Sequence, residues 1–485
     1  MTAIEPAVHL ATEQANSQSV ESDAYKRVFA RMHAATRRSS NVERSLREAR
    51  LDALAALVHD NAERFVEAIS ADFGHRSAHE TRLLELFPSL ESIRHNRSHV
   101  GTWMKPQRKS PSIWFRPGRA RIIPQPLGVV GIIVPWNYPL FLAVSPLAAA
   151  LAAGNRVLIK MSEFTPRTGE LLAELVAKYF AAEDVSVVLG DATVGADFAR
   201  LPFDHLLFTG STKVGHDIMR MAADNLTPVT LELGGKSPAI IGPDYSLAKA
   251  AERIMVGKLL NAGQTCIAPD YVLVPAGREQ AFIDAARAVV ARCFPELATT
   301  PDYTAIVNDR HYQRLQGYVA DAQARGAKIE PLSTANADPM ARRLPPLALL
   351  NVDDGMRVMQ DEIFGPLLPV LPYTDLDAAI AYVNEHPRPL ALYCFENDAG
   401  RRDRVLNETI AGGVTVNDTI LHIAQENLPF GGVGPSGMGH YHGIEGFRTF
   451  SKQKAVFYQS GLNGMSLFNP PYGALFERLT RFLMR

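Results

Sequence analysis

The sequence predicts an α/β protein whose first half folds as a doubly wound parallel sheet and whose second half adds another α/β series. Three observations predict this. "GVVGIIV", Gly128 to Val134, is a continuous apolar run, as a parallel strand buried on both faces requires. Shorter apolar runs, "RVLIK", "VSVVL" and "HLLFTG", follow it with helical segments between them. The length of 485 residues exceeds what one hydrophobic core sustains, so two or three domains are expected.

Taken in order, residues 1–23 are polar and aperiodic and are expected to be frayed. Tyr25 to Phe73 reads as helix, most clearly in "LDALAALVHDNAERFVEAISADF", where apolar positions recur every three to four residues. The bridge "WMKPQRKSPSIWFRPGRARIIPQP" reads as extended, and its prolines make it a poor central strand. After "GVVGIIV" come a buried helix to Ala153, the strand "RVLIK", a helix from about Pro166 to Tyr179, and the strands "VSVVL" and "HLLFTG". A short helix from about Thr212 to Ala223 closes this series. The next opens at "PVTLELGGKSPAIIG", with helices over Leu247–Leu260 and around Gln280–Ala291, the strand "YVLVP" between them, and further units to about Asn417. A loop-rich part, "LPFGGVGPSGMGHYHG", and an amphipathic tail complete the chain.

Composition narrows the function. Fifty basic residues balance fifty-one acidic ones, which leaves no electrostatic footprint for nucleic acid or an anionic membrane. No apolar run approaches the roughly 20 residues needed to cross a bilayer. Three cysteines make no disulfide framework, and none forms a CxxC pair that would suggest a metal. With no leader-like N-terminus, a reducing, cytoplasmic setting is expected. Cys293 and Cys394 each adjoin a phenylalanine and read as small hydrophobes, whereas Cys266 follows glycine, glutamine and threonine, where a thiol is reachable.

Several motifs admit two readings. "GVGPSG", Gly432 to Gly437, satisfies G-x-G-x-x-G but follows no strand, opens no helix and holds a proline, so it fails as a dinucleotide fingerprint. "LLFTGSTKVG" runs from a strand into a helix with Gly210, Ser211 and Gly215 at the junction. It is either a pyrophosphate site or a plain turn. "LIKMSEFTP" sets Lys160 and Glu163 just past a strand end, where ligands of open α/β sheets lie, or where a helix simply begins. Glu232 ends a β-rich run before two glycines. It is either a poorly solvated general base or a surface residue beside a turn. Asn137 in "VPWNYP" is either a turn former or an oxyanion donor. Cys266 is structural unless a base and an oxyanion donor converge on it.

"PWNYP", "KMSEFTP", "FTGSTKVG", "LELGGKSP", "GQTC" and "EIFGP", in this order, closely resemble the signatures of NAD(P)-dependent aldehyde dehydrogenases over about Tyr25 to Tyr458. "GQTCIAPDYVLV" looks most like the class 3 branch, and there like bacterial enzymes for coniferyl aldehyde. The resemblance implies an aldehyde dehydrogenase-like fold. A dinucleotide-binding domain would comprise 24–105 and 128–233, and a catalytic domain 234–419. A β-arm for oligomerisation would comprise 106–127 and 420–460, before a tail over 461–485. Cys266 would be the nucleophile, Asn137 with the Cys266 N–H would hold the oxyanion, and Glu232 would activate water. Lys160 and Glu163 would hold the adenosine ribose, Gly210, Ser211 and Gly215 would line the dinucleotide turn, and Glu362 and Phe364 would position the nicotinamide ribose. The implied partners are NAD, with NADP possible, a small aldehyde, and a second copy of the chain in a homodimer. Coniferyl aldehyde leads medium- or long-chain aliphatic aldehydes as substrate. A non-redox cysteine hydrolase and a non-catalytic descendant are the rival readings. The short tail is expected to dock on the protein, near the substrate entrance.

Overall fold

A computed structural model describes residues 24–39 and 41–484. The stretch expected to be frayed, 1–23, lies outside them. The helix expected from Tyr25 to Phe73 is three helices, over 24–38, Arg44–Asp60 and Ala62–Phe73. The last two part at Asn61, which leaves helical geometry at ψ 19° and turns its side-chain amide back onto the Leu57 carbonyl.

Two parallel sheets and one antiparallel arm follow. The arm holds β1 (Gln107–Lys109), β2 (Arg119–Pro126) and β16 (Ser451–Tyr458), with β2 in the middle. That corrects the expectation for the proline-rich bridge. β1 pairs only as far as Ile122, so Pro124 and Pro126 sit where β2 has β16 alone as neighbour, and no bond to β1 is lost.

The first sheet contains β3 (Val129–Ile133), β4 (Arg156–Lys160), β5 (Val185–Val188), β6 (His205–Gly210), β7 (Val229–Leu233) and β15 (Gly437–Met438). Its order is β15-β7-β6-β3-β4-β5, antiparallel only at β15. The chain builds outward from β3 to β5, then returns to β6 on the other flank. That reversal opens a crevice at the carboxyl ends of β3 and β6. Helix Phe141–Ala153, buried at every residue, packs on this sheet as the alanine-rich run predicts. Among the described residues no helix is long and apolar enough to cross a membrane.

The second sheet contains β8 (Pro238–Ile241), β9 (Tyr271–Pro275), β10 (Lys328–Pro331), β11 (Leu347–Leu350), β12 (Leu367–Tyr373), β13 (Ala391–Phe395) and β14 (Gly413–Val416). Its order is β10-β11-β12-β9-β8-β13-β14, parallel except at β10. β7 and β8 are joined by four residues, Gly234 to Ser237, so the two sheets meet around the "GGKS" turn. The tail forms a helix, Ala474–Leu483, with no buried residue. Phe482 meets Trp114 of the arm edge-on at 6.2 Å, so the tail helix touches the arm.

Candidate active site

A cleft of about 480 Å³ runs from the crossover of the first sheet to the turns that lead into β12 and β13 of the second. Asn137, Gly210, Ser211, Glu232, Cys266, Glu362 and Phe364 all line it, although the sequence scatters them over more than two hundred positions. Three predicted residues stand outside this lining. Lys160 and Glu163 lie at the end of β4, farther along the same sheet edge, and Gly215 lies inside helix Thr212–Ala223.

Cys266 follows a tight turn, Leu260–Gly263, in which Asn261 and Ala262 take left-handed conformations at φ 52° and 51°. Such strain persists only where the surroundings impose it. Here both Glu80 carboxyl oxygens accept from the Asn261 N–H at 3.1 Å. The Gln264 amide bonds the carbonyls of Asn261 and Ala305 and accepts from the Val307 N–H. The sulfur is half-buried at the cleft wall, Cys394 is buried in β13, and Cys293 is exposed, so only Cys394 behaves as the small hydrophobe expected of both. Burial, then the Glu362 and Glu232 carboxyls, push the Cys266 thiol up to about 12, opposed by the N–H groups of Cys266 and Ile267.

Glu232 is buried on β7 against the glycine-rich hairpin, where Gly437 pairs with it across the strands. Neither carboxyl oxygen has a hydrogen-bond partner among the described residues, and burial raises its pKa well above the ordinary carboxylate range. The rejected "GVGPSG" motif thus has a structural use. Gly437 has φ 141°, and a Cβ there would strike the Leu231 carbonyl, so glycine permits the hairpin to lie flat over Glu232.

Asn137 lies past the end of β3, 3 % exposed. Its Nδ2 donates to the Gln264 carbonyl at 3.1 Å, and its own carbonyl accepts from Asn261 Nδ2 at 3.0 Å. An amide nitrogen carries two hydrogens, so one of them remains for another acceptor.

The nucleotide side is equally specific. Ser211 caps helix Thr212–Ala223, accepting from the Val214 N–H, so the free N–H groups of that helix open on the cleft. Gly215 keeps that helix close to β7, because a Cβ there would meet Leu233. Lys160 Nζ donates to the carbonyls of Met161 and Gly190, both at 2.7 Å, and burial lowers its pKa. Glu163 beside it is exposed. Glu362 lies against Gly234, where any Cβ would collide with its carboxyl group. Burial and then Asp270 push Glu362 up to about 8, and its Oε1 has no hydrogen-bond partner among the described residues. Phe364 has φ 49° and meets Trp136 edge-on at 5.3 Å. Arg314 holds this turn by the carbonyls of Glu362 and Phe364, and Lys236 ties it to Asp270. A helix N-terminus, a bare glycine floor and an orphaned carboxyl oxygen along one cleft fit a dinucleotide.

Other residues hold the site together. Gln264 and Lys236 sit inside the "GQTC" and "LELGGKSP" motifs but carry no role expected from them, whereas Glu80 and Arg314 carry no sequence signal, and only burial and partners reveal their use.

Residues 1–456 match the family model described as "Aldehyde dehydrogenase family". A probable coniferyl aldehyde dehydrogenase of Pseudomonas aeruginosa is 55% identical over 452 residues, covering 93% of this chain and 94% of its own. A coniferyl aldehyde dehydrogenase of a Pseudomonas species is 49% identical, covering 90% and 92%. Among solved structures, the substrate-bound state of Staphylococcus aureus AldH matches with a TM-score of 0.89 at 36% identity, covering 95% of this chain and 99% of that one. The betaine aldehyde dehydrogenase of that organism, in complex with NAD+, matches at 0.81 and 27%, covering 92% and 89%.

Proposed function

Given that this chain belongs to the aldehyde dehydrogenase family and is an NAD(P)-dependent oxidoreductase acting on aldehydes, we propose that Cys266, Asn137 and Glu232 carry the reaction and that coniferyl aldehyde is its substrate. The observation that carries this reading is the convergence of the three side chains on one cleft that also reaches the sheet crossover.

The Cys266 sulfur attacks the aldehyde carbon and forms a thiohemiacetal. Its proton passes to Glu232, a strong base by virtue of its burial. The second Asn137 amide hydrogen and the Cys266 backbone N–H receive the developing oxyanion. A bound nicotinamide would supply the hydride acceptor that converts this thiohemiacetal into a thioester on Cys266. Glu232 first releases the thiol proton to solvent, then takes a proton from the water that hydrolyses this thioester and hands it to the departing Cys266 sulfur, releasing the acid and restoring the thiol.

Lys160 and Glu163 hold the adenosine ribose from the end of β4, and Gly210, Ser211 and Gly215 shape the pyrophosphate turn. Glu362 would hold the nicotinamide ribose through its free oxygen, and Phe364 would help to position it. Exposed Glu163 disfavours a 2′-phosphate, so NAD is preferred. Ile423, Phe430 and Tyr441 form an aromatic and apolar wall beyond Cys266, which suits a flat conjugated ring. Exposed Ile113, Trp114, Phe115 and Phe457 on the arm support a homodimer through that sheet. We place the enzyme in the cytoplasm and divide it at the boundaries expected from the sequence.

The test is an aldehyde panel read as NADH formation, with NAD and NADP in parallel. Higher kcat/KM for coniferaldehyde than for hexanal is expected. Equal or reversed values remove the substrate assignment and leave the reaction class standing.

A further inference from the structure

We propose that a buried pair, Arg76 and Glu85, is the positioning device that aims the Asn137 amide at the oxyanion. Both side chains are fully enclosed. Arg76 Nη1 donates to Glu85 Oε1 at 2.8 Å and to the Asn137 carbonyl at 3.0 Å. Glu85 Oε2 accepts the backbone N–H groups of Leu140 and Phe141 at 2.8 and 2.9 Å. The pair therefore grips the turn after β3 on both sides of Tyr138. The guanidinium stacks on that ring, 4.8 Å from its centroid, and lies 5.2 Å from Phe73. The Tyr138 hydroxyl reaches Thr265 Oγ1 at 2.6 Å, next to the nucleophile, so the clamp spans both halves of the site.

Stability does not explain such a pair. Burying two charges gains little over apolar side chains of the same size, and Arg76 Nε and Nη2 have no acceptor among the described residues. Three N–H donors converge on the two Glu85 oxygens, an arrangement that favours the carboxylate against the upward push of its burial. What the pair fixes is the direction of one backbone turn. An oxyanion donor needs its angle held, and a displacement of about 1 Å can cost about a hundredfold in rate.

The proposal rests on Asn137 as the oxyanion donor, and its test separates the two. Arg76→Lys keeps the charge beside Glu85 but is one bond too short to hold both acceptors. The double exchange R76M/E85M removes both charges, so no lone ion stays buried. In both, kcat at saturating aldehyde should fall about tenfold to a hundredfold, with KM for NAD within about twofold of wild type. In an Asn137→Ala background the same exchanges should lower kcat by no more than about a further twofold, because groups acting through one residue do not add. Wild-type kcat in Arg76→Lys and in folded R76M/E85M overturns the proposal, as does a full further loss in the Asn137→Ala background. If R76M/E85M yields no folded protein by circular dichroism, Arg76→Lys decides alone. Asn137→Ala turning over at the wild-type rate removes the oxyanion assignment and the clamp with it. An inactive Asn137→Ala beside a fully active Arg76→Lys removes only the clamp.

Discussion

The Asn137 side-chain amide donates to the backbone carbonyl of Gln264 across 3.1 Å, joining two turns 127 positions apart. One turn carries the proposed oxyanion donor and the other carries Cys266. Asn137→Ala should therefore lower kcat by about a hundredfold to a thousandfold, as loss of one oxyanion donor does elsewhere. Stopped-flow NADH formation checks it, and a loss confined to KM would contradict the assignment.

Cys266→Ser should abolish steady-state oxidation, because a serine hydroxyl at this position has no comparable nucleophilicity. NADH formation from any aldehyde is the measurement. Cys293→Ser, a change on an exposed helix end, should leave it within about twofold, as surface changes usually do.

Glu232→Gln should slow both thioester formation and its hydrolysis. The rapid NADH phase should shrink or vanish in stopped flow, with the steady rate lowered about a hundredfold or more, as expected from loss of the general base. In the wild type the hydrolytic step requires the carboxylate, and burial raises its pKa. Its rate should thus climb with pH beyond the ordinary carboxylate range, which single-turnover kinetics across a pH series will show.

The same shift has a sign in stability. A carboxyl whose pKa is higher in the folded chain than in the unfolded one holds its proton more tightly when folded. Its contribution is complete below the unfolded value and is lost as pH rises toward the folded one. Glu232→Gln cannot ionise, so its Tm relative to wild type should become more positive from about pH 5 to pH 8.

Glu163→Ser removes the one carboxylate proposed to face the 2′ position of the ribose. The ratio of kcat/KM with NADP to that with NAD should rise about tenfold, the effect of about 1.4 kcal/mol of removed repulsion. An unchanged ratio would place cofactor choice elsewhere.

Gly437→Ala introduces a Cβ against the Leu231 carbonyl at φ 141°. It should cost about 1–3 kcal/mol of stability, seen as a lower Tm, and should loosen the hairpin over Glu232.

Much of the fold was legible from the chain alone. The apolar runs that became β3, β4, β5 and β6 are local signals, because a strand covered on both faces must be apolar throughout. Pro166–Tyr179 and Thr212–Ala223 likewise follow from periodicity and capping. β2 was misjudged because proline is costly only where a neighbour needs its N–H, and partner length is a property of the sheet.

By itself the sequence determined which chemical groups are present and which backbone turns carry them: a thiol after "GQT", a carboxylate before two glycines, an amide after a buried strand. Turn geometry depends on neighbouring residues, so short motifs encode it. The tertiary structure alone decided that Cys266, Asn137 and Glu232 share one cleft, that the hairpin at Gly437 covers the acid, and that Arg76 and Glu85 bond the backbone of the turn that carries Asn137. Desolvation, and with it the pKa values of Glu232 and Cys266, comes from atoms brought close by packing, and no local pattern in a chain records which distant atoms those are.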